Sequence, residues 1–183
     1  MGEPMPSNGS DSMRSKVLIL LSLFFFWSHS VLAKDVIGQF VPNASVVGRG
    51  VLTYAFWDIY QATLYAPNGF WNPKKPFALS IEYYKELDGK DIADTTEQEM
   101  RKQGFTDEIK LYNWHARMKN IFPDVKNGTV LTAVYVPRKH TLFYLENKLI
   151  GSIKGDEFGR LFFGIWLSDN TSEPELRRAL LGL

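Results

Sequence analysis

The chain has 183 residues, 45% of them hydrophobic and 14% aromatic, with a formal charge of +1 and no cysteine. Those numbers suit one domain with its own apolar core. They exclude a disulfide framework, a thiolate metal site and a broad basic surface for nucleic acid.

Residues 1–12 are polar and rich in Gly, Pro and Ser. Arg14 and Lys16 then precede the apolar run Val17 to Trp27 (VLILLSLFFFW), and small residues lead to Val31-Leu32-Ala33. A positive start, a short apolar stretch and a small terminal residue predict a secretory signal peptide over residues 1–33, with Met13 as an alternative start. The run is shorter than the ~20 apolar residues of a membrane span; a retained N-terminal anchor is the alternative. The domain is expected over residues 34–183, exported, and periplasmic if the source is Gram-negative. Asn43, Asn127 and Asn170 each open an Asn-X-Ser/Thr acceptor pattern.

Val46–Tyr54 and Trp57–Ala66 read as strands, being dominated by β-branched and aromatic residues. On the second, Tyr60, Ala62 and Leu64 share one face, and Ile59, Gln61, Thr63 and Tyr65 the other. Phe77–Tyr84 (FALSIEYY) alternates more clearly, with Phe77, Leu79, Ile81 and Tyr83 on one face.

Asp88 offers an N-cap to a helix running to Gln103, and Gly104 suits its exit. The stripe of that helix is thin: Ile92, Thr96 and Met100, with Glu99 beside it. Thr106 caps a second helix with the stripe Leu111, Trp114, His115, Met118, Ile121 and Phe122, and Pro123 stops it. Strands follow at Thr129–Val136, Thr141–Leu145 and Leu149–Ile153. Gly155-Asp156 opens a third helix, and Ser172 with Pro174 opens a last one that ends at Leu181-Gly182. Strands grouped with strands and helices with helices predict an α+β fold, an antiparallel sheet with helices over one face. A pocket between the two layers is the natural ligand site.

Chemistry-bearing motifs are sparse. The three histidines lack metal-ligand spacing, and no phosphate loop or nucleophile elbow is present. The residues alone predict no cofactor, no metal and an apolar or amphiphilic partner.

The segments WDIYQATLYAPNGF, PFALSIEYYKELDGKDIADTTEQEMRKQG, WHARMKNIFPDVKNGTVLTAVYVP and FYLENKLIGSIKGDEFGRLFFGIWLSDNTSEPELRRALLG together resemble bacterial chalcone isomerase-like proteins. The likeness runs from about Val46 to Gly182. It implies an open-faced β-sandwich, a large antiparallel sheet with a layer of helices against it.

True chalcone isomerases close a flavanone ring with an arginine, threonines, a tyrosine and an asparagine. By that resemblance the arginine corresponds to Arg49 in Gly48-Arg49-Gly50, and the threonine of the next strand falls near Ile59. The tyrosine and asparagine fall at Ile92 and Glu99. Neither can hold a phenolate oxyanion: Ile92 has no donor, and an ionised Glu99 repels it.

The resemblance therefore implies a cleft protein without chalcone isomerase activity, binding a fatty acid or similar molecule through Arg49, Ile59, Ile92 and Glu99. Arg49 is the expected partner of a ligand carboxylate. The alternatives are an intramolecular lyase or isomerase with Glu99 as base, or an interaction domain using Trp57, Tyr60, Tyr65, Trp71, Tyr83 and Tyr84.

Overall fold

The computed structural model describes Gly2 and residues 36–183. The expected signal peptide, the Met13 start and the cleavage point lie outside these residues. Among the described residues, no helix is long and apolar enough to cross a membrane.

Six strands form one sheet in sequential order, β1 (Ala44–Tyr54), β2 (Trp57–Pro67), β3 (Phe77–Tyr83), β4 (Val130–Val136), β5 (His140–Leu145) and β6 (Lys148–Lys154). All neighbours are antiparallel. Between β3 and β4 the chain makes α1 (Gly89–Lys102) and α2 (Glu108–Ile121); after β6 come α3 (Asp156–Leu167) and α4 (Pro174–Leu181). This is the α+β sheet-and-helix architecture expected from the element order.

Side chains alternate along each strand, so one face of the sheet collects the apolar set. Leu64, Leu79, Ala133 and Phe143 are consecutive ladder partners across four strands. All four are buried in the main core. Phe158, Phe162, Phe163 and Trp166 of α3 fill that core with mainly edge-to-face rings. α4 lies on β1 and β2, α3 on β5, and α2 on β6.

Two local details differ from the sequence reading. The N-cap of α2 is Asp107 rather than Thr106; its carboxylate accepts from the Lys110 backbone N–H at 3.1 Å. The reverse face of the sheet is also covered. Val36, Ile37 and Val41 pack on Ala78, Val134, Leu142 and Tyr144 as a second, smaller core.

Candidate functional site

α1 packs mainly on α2 and α3 rather than on the sheet. Beneath it lies a cavity of about 520 Å³, within the range of small-molecule sites. Its floor is sheet: Leu52, Tyr60, Leu79, Ile81 and Tyr83. Ile92, Thr96 and Glu99 line it from α1, and Phe162, Ile165 and Trp166 from α3. The exposed lining residues Tyr54, Asp91, Thr95, Lys102, Ser172 and Glu173 mark its rim.

The thin stripe of α1 explains the gap. Its buried positions are Gly89, Ala93, Thr96 and Met100, and only Met100 carries a long side chain. Thr96 turns its hydroxyl back to the Ile92 carbonyl at 2.7 Å. Gly89 seats the start of the helix: a Cβ there would meet the Phe122 carbonyl oxygen at 2.2 Å, and its N–H donates to Asp124 at 2.9 Å.

Three of the four expected ligand residues, Ile59, Ile92 and Glu99, line the cavity. Ile59 reaches it through a bulge. The pairs Leu52–Tyr60 and Thr53–Asp58 leave Ile59 without a partner on β1, so two consecutive residues of β2 both serve the lining. Arg49 is the exception. It pairs with Thr63, and the ladder continues through Ser80 and Thr132 on the reverse face of the sheet. Its neighbours Gly48 and Gly50 face α4 instead. The guanidinium is exposed and does not line the cavity, so alternation along β1 removes Arg49 from the place expected of it.

Glu99 has both oxygens engaged. Oε1 lies 2.6 Å from Lys102 Nζ, and Oε2 accepts from the Ser172 hydroxyl at 2.8 Å. The remaining histidines sit elsewhere: His115 meets Asp94 at 2.5 Å beside Lys119, and His140 begins β5. No group of His, Cys, Asp and Glu among the described residues could hold a metal ion.

Tyr60 and Tyr83 are the polar groups of the floor. Their rings meet edge to face at 5.9 Å. Burial is the main cause that pushes both hydroxyls up from the ordinary tyrosine range; nearby Glu173 and Glu99 add to it for Tyr60, and Tyr60 adds to it for Tyr83. Both are neutral donors at physiological pH. The Trp166 indole N–H donates to the Tyr60 oxygen at 2.8 Å.

The signal for these two tyrosines was the alternation that put Tyr60 with Ala62 and Leu64, and Tyr83 with Leu79 and Ile81. The six aromatics considered as a patch do not act as one, because Trp57 is 63% exposed while Tyr83 is buried in the main core.

A family model described as chalcone isomerase-like matches residues 43–182. An uncharacterized protein of Haemophilus influenzae is 26% identical over 137 residues, 74% of this chain and 67% of the relative. Among solved structures, a fatty-acid binding protein of Arabidopsis thaliana superposes with a TM-score of 0.61 at 12% identity, over 76% of this chain and 87% of that one. At that identity the likeness is one of fold.

Proposed function

Because the chain belongs to the chalcone isomerase-like family, we propose that it is an exported binding protein that holds a fatty acid or similar apolar molecule under α1, without chalcone isomerase activity. The observation that carries this reading is the cavity itself, a space of about 520 Å³ walled mostly by side chains of the main core. The fold likeness to a fatty-acid binding protein supports it. Ile92 and Glu99, at the positions where the resemblance puts tyrosine and asparagine, support the absence of ring closure. Arg14, Lys16 and the apolar run after them support export.

The test is a homologous series of straight-chain ligands titrated into the purified protein. Each added methylene buried in the cavity contributes about 0.8 kcal/mol, so affinity should rise roughly fourfold per carbon until the space is full. Affinity independent of chain length would refute the binding reading. Conversion of a chalcone to a flavanone above the uncatalysed rate would refute the lack of activity.

A further inference from the structure

The cavity offers hydrogen bonds without a free cation. Tyr83 is 4% exposed, lines the cavity, and its hydroxyl has no hydrogen-bond partner among the described residues. The Tyr60 oxygen accepts from Trp166, which leaves its own proton free to donate. The formally charged groups of the lining are Asp91, Glu99, Lys102 and Glu173. The single cation, Lys102, already lies 2.6 Å from Glu99. Asp91 and Glu173 form no ion pair among the described residues. An ionised head group entering here would lose water and find three carboxylates against one ammonium that is already paired. Burial of a charge without its counter-charge is strongly unfavourable. A neutral oxygen faces no such cost, and it can accept from the Tyr83 hydroxyl, which opens on the cavity and has no acceptor among the described residues.

We propose that the cavity selects an apolar chain ending in an uncharged oxygen, a hydroxyl or a ketone carbonyl, over the same chain ending in a carboxylate. The inference rests on the binding reading above and narrows its ligand class to the similar apolar molecules, ahead of an ionised fatty acid. Tyr83 is the donor to that oxygen, and Asp91 and Glu173 at the rim act against an anion.

The experiment compares 1-dodecanol, 2-dodecanone and laurate at pH 7.5, each displacing the neutral dye Nile red from the whole protein. The two neutral ligands should bind about tenfold or more tighter than laurate. Tyr83→Phe should weaken both about fivefold, the worth of one neutral hydrogen bond, and leave laurate unchanged. The exposed pair Asp91→Asn and Glu173→Gln, which leaves the cavity floor intact, should tighten laurate alone. Laurate binding as tightly as the alcohol, or no response of the neutral ligands to Tyr83→Phe, would overturn the head-group proposal while the binding reading stands. Failure of all three ligands to displace the dye would overturn both.

Discussion

Gly48→Ala should be among the most damaging single-methyl changes in β1. A Cβ at Gly48 would lie 2.2 Å from the Ala179 carbonyl oxygen and 2.6 Å from that of Leu180. Both obstacles are backbone of α4 and its end, so the whole helix must move away from the strand. At Gly50 the nearest atom, at 2.5 Å, is the Leu176 Cδ1 methyl, the far end of a side chain that can change rotamer. Overpacking costs about 1–3 kcal/mol, and a rigid obstacle puts Gly48 at the top of that range. Alanine recovers up to ~1 kcal/mol through the stiffer unfolded chain. The net loss is about 2 kcal/mol for Gly48→Ala, or a fall of roughly 4–8 °C in Tm for a domain of this size. For Gly50→Ala the two effects nearly cancel, to within ~0.5 kcal/mol. Urea unfolding followed by circular dichroism measures both. A Gly48→Ala protein as stable as the parent, or more stable than Gly50→Ala, would show that α4 does not press on β1 as described.

Two further outcomes follow from the site and from the start of α3. Ile92→Trp fills the cavity from the α1 side, so ligand affinity should fall about tenfold or more while the far-UV spectrum is unchanged; dye titration would reveal unimpaired binding if the cavity were not the site. Asp156 accepts from the Tyr135 hydroxyl at 2.6 Å and from the Arg138 N–H at 2.8 Å. These contacts, the first being the larger, hold its carboxyl below the ordinary value of 3.8. A depressed folded-state value means stability that is fully present above the unfolded value and is lost as pH falls through the folded one. The parent should therefore lose more stability on acidification below pH ~4 than Asp156→Asn does, as read from urea midpoints; parallel acid profiles would refute this.

Element order was legible because the periods were clean. The alternation of FALSIEYY gave β3 and the face it turns to the main core, and the spacing of Leu111 and Met118 gave the buried side of α2. The thin stripe of α1 pointed to the cavity lining at Ile92. What the sequence concealed depended on register. A one-residue bulge brought Ile59 into the cavity lining, and the pairing of Arg49 with Thr63 put the arginine on the reverse face. Gly48-Arg49-Gly50 looked like a setting for its charged residue, whereas its glycines make the close contact and the charge lies on the other side. The covering of the reverse face by Val36, Ile37 and Val41 had no local signature either. Three apolar residues ahead of the first strand show no period, and only their partners on β3, β4 and β5 explain them.

The separation of α1 from the sheet has a consequence for the lifetime of the protein. A single helix of 14 residues is marginal without packing beneath it, and this one is supported mainly by α2 and α3. A bound chain would complete the hydrophobic interior, and ligand at a hundred times its dissociation constant adds about 2.7 kcal/mol of stability by mass action. Proteases act on opened states, so loaded copies would outlast empty ones. The amount of the protein would then follow the supply of its cargo without any regulator.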